Sequence, residues 1–406
     1  MWNIEDDFPI LKRQVHGRPL IYLDNAATTQ LPLSVLKATE EQYRLFQANI
    51  HRGIHYLSEQ STMRVESVRE KVSGFIGAAE SAEIIFTSGT TESINIIARS
   101  FSEKELQPGD TVVTTEMEHH SNLIPWQEAC RRTGAVLRVI PINDKGDLDM
   151  DAAKRFMAEG PKLLAVTAVS NVLGTVNPIK DLTAMAHAAG AAVLIDGAQT
   201  MRHARVNVRE LDCDFFCFSG HKMMAPGGVG ILYGKREWLE KLPPVIFGGG
   251  MVDEVTASAA SWEDIPFKWE AGTRNIAGIV GLGAAIDYLD GLGLDAIMEY
   301  EAELLQYAED MLQSKPGIEV LGSPGERAGA LSFQIKGLPF YDAARLLDQL
   351  GIAVRSGHHC AQPLLKHYGL SGTIRLSPAF YNTKEELEAF SAALDRIAAL
   401  PGIRHE

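Results

Sequence analysis

From about residue 80 the chain alternates short apolar runs with amphipathic stretches. Ile84 to Thr87 predicts a strand and Glu92 to Arg99 the helix after it; Thr111 to Thr115 predicts another strand, with a helix from about Ser121 to Arg132. Leu137 to Ile140, Leu163 to Val169, Val193 to Ile195, Phe215 to Phe218 and Val229 to Tyr233 are apolar almost throughout, as strands buried on both faces are. Helical spacing over Ile179 to Ala189 separates two of them. Strands alternating with helices predict a mostly parallel sheet covered on both sides.

After about residue 290 the pattern changes. A long helix over Leu294 to Gln313 precedes short strands at Glu319 to Leu321 and Ala330 to Ile335, a helix at Tyr341 to Leu350, and strands near Ala353 and over Thr373 to Leu376. Thr383-Lys384-Glu385-Glu386 opens the last helix as a capping box. The expected fold class is therefore α/β. A large domain over 21–290 holds a mostly parallel sheet flanked by helices. A smaller α+β domain follows over 291–406, and an N-terminal segment, 1–20, packs with the small domain. The long irregular stretch Phe247 to Asn275 is of a length that usually marks function or an interface.

Composition narrows the function classes. The 406 residues carry a formal net charge of −14 with 46% hydrophobic residues, and no run of Lys and Arg offers a basic patch. Nucleic acid is thus not an expected partner. The start of the chain, Met1-Trp2-Asn3-Ile4-Glu5-Asp6-Asp7, is acidic where a signal peptide would be basic. The most apolar stretch, Ile276 to Ile286, is well short of the ~20 residues that span a bilayer. No membrane association and a cytoplasmic location are expected. Of the four cysteines, Cys130, Cys213 and Cys217 read as small buried thiols, and the last two, four apart, as sharing one face. Cys360 differs, in the polar run Arg355-Ser356-Gly357-His358-His359-Cys360, read as a loop after a strand at Ile352 to Val354.

Ligands of open α/β sheets bind beyond the carboxyl ends of the strands. Beyond Thr87 comes Ser88-Gly89-Thr90-Thr91-Glu92, a small polar turn opening a helix, where free N–H groups and the helix dipole suit a phosphate. Beyond Thr115 comes Glu116-Met117-Glu118-His119-His120, beyond Val169 Ser170-Asn171, beyond Ile195 Asp196-Gly197-Ala198-Gln199, and beyond Phe218 Ser219-Gly220-His221-Lys222. Pyridoxal phosphate needs that set: a lysine amine for its aldehyde, a carboxylate beside its ring nitrogen, a flat group over the ring and donors for its phosphate. Lys222 is assigned to the aldehyde, Asp196 to the ring nitrogen and His119 to the stack. Thr90, Thr91, Ser219 and His221 go to the phosphate, and Gln199 to the ring hydroxyl. Taken singly, Asp196 could be a helix cap and Lys222 a solvated charge. The weight lies in five suitable groups at five strand ends.

Several segments together resemble the SufS-type (group II) cysteine desulfurases, within the aminotransferase class V family. They are Tyr22-Leu23-Asp24-Asn25-Ala26-Ala27-Thr28, Asn49-Ile50-His51-Arg52-Gly53, Glu116 to His120, Val169 to Gly174, Asp196 to Gln199, Phe218 to Lys222 and Arg355 to Ala361. The resemblance implies a fold-type I pyridoxal phosphate enzyme. It also implies a homodimer whose sites are completed across the interface, with Thr273 reaching the partner's cofactor phosphate. By the same match Cys360 is the nucleophile that forms a persulfide, Arg375 grips the substrate carboxylate, and L-cysteine is the substrate. His119 and Lys222 would be catalytic with Cys360, and Arg355 and Asn171 would assist Arg375. A SufE-like or SufU-like acceptor protein would take the sulfur, for iron–sulfur cluster assembly. The alternatives are a selenocysteine lyase, an aminotransferase or other carbon–sulfur lyase of the same fold, and a non-catalytic scaffold or sulfur-binding module. Two departures are Ala225-Pro226-Gly227-Gly228 after the lysine and Arg274 in place of the usual proline.

The residues around Cys360 support a reactive thiol, because Arg355, His358 and His359 could favour its thiolate. A metal site is not expected, since adjacent residues of an extended loop point apart and no second ligand cluster appears. Arg375, a lone charge in the apolar run Thr373 to Leu376, calls for a buried carboxylate partner, whether substrate or an internal salt bridge.

Overall fold

The computed structural model describes Trp2 and residues 4–400. Its centre is a seven-stranded sheet: β1 (Ile84–Thr87), β2 (Thr111–Thr115), β3 (Val136–Ile140), β4 (Leu163–Thr167), β5 (Ala192–Asp196), β6 (Phe215–Ser219) and β7 (Gly230–Gly234). The spatial order is β1-β7-β6-β5-β4-β2-β3. Only β7 is antiparallel to its neighbours, so β1, β2, β4, β5 and β6 end on the same edge.

Strand alternation sends successive side chains to opposite cores. On β5, Val193 and Ile195 join one cluster, with Val35 of helix α1 (Leu33–Leu45), Val65 and Val72 of α2 (Tyr56–Ile76), and Ile279 and Ile286 of their neighbour over Ile276–Leu292. Leu194 faces the other cluster, with Ile94, Ile97 and Phe101 of α3 (Thr90–Glu105) and Trp126 of α4 (His120–Thr133). The sheet is thus covered on both faces, as the apolar runs predict. Cys213 and Cys217 are both buried but do not share a face: Cys213 belongs to the first cluster and Cys217 to the second. Cys213 precedes β6, so period-two counting does not apply to the pair.

Beyond α5 (Ile276–Leu292) comes α6 (Leu294–Gln313), which packs under a four-stranded antiparallel sheet: β8 (Ile318–Val320), β9 (Leu331–Ile335), β10 (Arg355–Gly357) and β11 (Thr373–Leu376), in the order β8-β9-β11-β10. Arg355 to Gly357, expected as loop, is an edge strand paired with β11 through its backbone. Its polar side chains gave no apolar period to read. Thr383 and Glu386 form the expected capping box. The Phe247 to Asn275 stretch contains a hairpin of Val252–Val255 with Ala260–Trp262, whose residues are largely exposed. The N-terminal stretch bonds to the second sheet's surroundings: Ile21–Tyr22 pairs in parallel with Ile352–Ala353, and Asp24 bridges Ser377. Among the described residues no single helix is long and apolar enough to cross a membrane.

Candidate active site

The ends of β1, β2, β4, β5 and β6 open on one cavity of about 230 Å³. Its lining includes Thr90, Thr91, His119, Asn171, Asp196, Gln199, Ser219, His221 and Lys222, with Arg355, His359, Cys360 and Arg375 entering from the smaller sheet. Thirteen positions spread over most of the sequence therefore share one space. Thr273 is exposed on a separate loop and does not line it.

At the start of α3, Gly89 has φ of 155°, outside the range that L side chains readily adopt. Gly230 of β7 lies so near that a Cβ there would stand 2.3 Å from Gly89 Cα. This close approach brings the Thr90 N–H to 2.8 Å from Ser219 Oγ, and Thr90 Oγ1 to the same oxygen at 2.8 Å. Thr91 Oγ1 meets Ser121 Oγ at 2.7 Å. Hydroxyls thus gather at the N-terminus of a sixteen-residue helix, where the dipole favours an anion.

His119 caps α4, its Nδ1 accepting the Ser121 N–H at 3.1 Å. Burial, and then the charge of Lys222, push its pKa down to about 3, so the ring is neutral near pH 7. Asp196, 3% exposed, accepts the Ala198 N–H at 2.9 Å. Burial raises its carboxyl above the ordinary value while Lys222 draws it back. Gln199 Nε2 donates to the Ala26 carbonyl at 2.8 Å, leaving its oxygen to the cavity. His221 meets Thr28 Oγ1 at 3.3 Å, and burial pushes its pKa down to about 4. Lys222 ends a 3-10 turn over Gly220–Lys222 and lines the cavity. Among the described residues its amine has no hydrogen-bond or ion-pair partner, and burial lowers its pKa while Asp196 raises it.

Across the cavity His359 and Cys360 have φ of 51° and 55°, two successive non-glycine residues in the left-handed region. The Cys360 carbonyl accepts the His120 N–H at 2.7 Å, and the Cys360 N–H donates to His358 Nδ1 at 3.1 Å. Asn171 Nδ2 donates to the His359 carbonyl at 2.7 Å. His359, expected as a cationic neighbour of the thiol, is buried, and desolvation pushes its pKa down to about 3; it carries no charge near neutrality. Arg375, 3% exposed, donates from Nη1 to the Asn171 carbonyl at 2.9 Å and from Nη2 to Asp24 at 3.2 Å. Its Nε is buried without a partner.

Three contributors were not legible beforehand. Ser121 bonds Thr91, His120 bonds the Cys360 carbonyl, and Asp24 pairs with Arg375. Ser121 could have been flagged as a hydroxyl directly after the His pair. Asp24 could not, because its partner lies 351 residues away.

The donor set fits pyridoxal phosphate. An unpaired amine, a buried carboxylate, a neutral aromatic ring and a hydroxyl-rich helix start surround one cavity of suitable chemistry. Among the described residues no group of three or more His, Cys, Asp or Glu is disposed to hold a metal ion.

Residues 21–390 match the model of the aminotransferase class-V family. The chain belongs to that family. Among class-V relatives it is 49% identical over 401 residues to a cysteine desulfurase of Cronobacter sakazakii, covering 98% of each chain. It is 48% identical over 394 residues to a probable cysteine desulfurase of Halalkalibacterium halodurans, covering 97% of each. The structure resembles the apo cysteine desulfurase of Thermococcus onnurineus NA1, with a TM-score of 0.91, 38% identity and coverage of 96% of this chain and 98% of that one. It also resembles the Escherichia coli cysteine desulfurase CsdA, solved as an S-sulfonic acid, with a TM-score of 0.89 at 38% identity over 96% of each chain. The α/β architecture expected of fold-type I pyridoxal phosphate enzymes is the one found.

Proposed function

We propose that this class-V protein is a pyridoxal phosphate-dependent cysteine desulfurase that moves sulfur from L-cysteine to Cys360. The enzyme class is supported by full-length relatives of that name at nearly half identity. Those names favour cysteine over the selenocysteine lyase alternative. The observation that carries the site reading is that Lys222, Asp196 and Cys360 line a single cavity.

In this reading Lys222 would hold the cofactor aldehyde and His119 would stack on the ring. Thr90, Thr91, Ser219 and His221 would hold the phosphate, and Gln199 the ring hydroxyl. The cofactor supplies an electron sink for the bond to the Cα proton. Asp196 would hold a proton on the cofactor's ring nitrogen, and its burial would strengthen that interaction. Arg375 receives the substrate carboxylate, helped by Arg355 and Asn171. Lys222 is placed to take the proton from Cα, and its burial, which lowers the pKa, leaves more of the amine as a base. Cys360 attacks the substrate sulfur as thiolate: the carbon–sulfur bond breaks as a sulfur–sulfur bond forms. The electron pair of the broken bond passes to Cβ, and Cβ and Cα each take up a proton, giving alanine and a Cys360 persulfide.

The persulfide then passes to an acceptor, SufE-like or SufU-like, with iron–sulfur cluster assembly as the destination. A cytoplasmic homodimer is part of the proposal. Thr273, exposed and outside its own cavity, would reach the cofactor phosphate of a second copy. A Cys360→Ala variant tests the site reading. It should retain the cofactor's visible absorption and lose persulfide formation, and normal sulfide release from L-cysteine would contradict the assignment.

A further inference from the structure

Arg355 and Arg375 are direct partners across the antiparallel pair β10 and β11. Like charges so opposed repel, and both side chains line the cavity. A single carboxylate from a distant part of the chain lies against both. Asp24 Oδ1 is 3.2 Å from Arg375 Nη2, and Oδ2 is 3.6 Å from Arg355 Nη1. Asp24 is held there by its bridge to Ser377 and by the Ala27 and Thr28 N–H groups, which donate to its carbonyl.

These contacts leave a defined remainder. Arg375 spends one donor on Asp24 and one on the Asn171 carbonyl, and its buried Nε has no partner. Two guanidinium groups and one carboxylate carry a net charge of +1, which one further carboxylate completes. Without Asp24 the site would hold two uncompensated cations and grip any carboxylate harder, product included. Resting on the proposal that Arg375 receives the substrate carboxylate, we infer that Asp24 is a positioning residue that sets how tightly the site holds an amino-acid carboxylate. It tunes the site to admit one carboxylate and release it as alanine.

The test is equilibrium binding to the cofactor-loaded enzyme, followed calorimetrically and by the cofactor absorption, with L-alanine and the neutral L-alaninamide as probes. Asp24→Asn keeps the size and an acceptor oxygen but removes the charge. It should tighten L-alanine about tenfold, the scale of one charge pair at a partly buried distance, and leave L-alaninamide unchanged. Asp24→Glu should restore the parent ratio between the two probes. Arg355→Gln, at an exposed side chain, should do the reverse and weaken L-alanine alone, and adding Asp24→Asn to it, which restores the net charge of +1, should return L-alanine to the parent affinity; this pair keeps the inference testable if Asp24→Asn alone does not fold. Equal shifts for both probes, or none, would overturn the inference and leave Asp24 a structural residue. An Arg375→Gln variant separates the two levels. Unchanged L-alanine affinity there would remove the Arg375 reading itself, and this inference with it.

Discussion

Asn171 Nδ2 donates to the carbonyl oxygen of His359 at 2.7 Å, so the residue beyond β4 holds the loop that carries Cys360. The loop needs holding. His359 and Cys360 both have left-handed φ, at a cost of about 1–2 kcal/mol each for residues with a Cβ. The Asn171→Ala variant should let the loop relax. Alkylation of Cys360 by a small thiol reagent should speed up several-fold, while persulfide formation slows about 10- to 100-fold. Unchanged alkylation would show that the loop keeps its conformation without this bond.

Lys222 offers a test that separates folding from chemistry. Its amine is desolvated and, among the described residues, unpaired in the protein alone, so removing it costs the fold little. The Lys222→Ala apoprotein should melt at or above the temperature of the unsubstituted apoprotein. Cofactor added to it should give no absorption band typical of a lysine-bound aldehyde, and L-cysteine should not be turned over.

Gly230 is expected to matter for the cofactor although it lines no part of the cavity. A Cβ there would lie 2.3 Å from Gly89 Cα, too close for any real contact. Gly230→Ala should therefore displace the turn that opens α3 and, with it, the Thr90 and Ser219 hydroxyls. Overpacking of this kind typically costs 1–3 kcal/mol, or about 10- to 100-fold in cofactor affinity. Cofactor titration of the apoprotein measures it.

Glu118 predicts a pH dependence of stability. It is fully buried beneath the site, accepting from Thr115 Oγ1, the Thr167 N–H and Asn122 Nδ2. Burial pushes its pKa up from 4.5 to about 8. Between those values the folded protein keeps the proton that the unfolded chain has released, so stability falls as pH rises. The stability attributable to this group is complete below about pH 4.5 and lost by about pH 8. Urea unfolding of the wild type and of Glu118→Gln should give a difference that declines towards high pH by up to about 1.4 kcal/mol per unit. A flat difference would mean that Glu118 is ionised in the fold.

The large sheet was legible because its strands are buried on both faces, and their apolar runs end where the polar site residues begin. Asp196 and Lys222 could be paired from sequence because each follows such a run. The edge strand at Arg355 to Gly357 could not, since backbone pairing alone makes it and its side chains are polar. The same limit hid Asp24. A salt bridge formed across 351 residues leaves no local period. His359 shows another limit: proximity in sequence suggested a cation, whereas burial leaves the ring neutral.

The central claim is that sulfur from L-cysteine is captured on Cys360. Purified, cofactor-loaded protein should be given L-cysteine without a reductant, and the Cys360 peptide analysed by mass spectrometry while free alanine is measured. The account predicts alanine, together with a Cys360 peptide heavier by the mass of one sulfur atom. Alanine formed with Cys360 left unmodified throughout would contradict it.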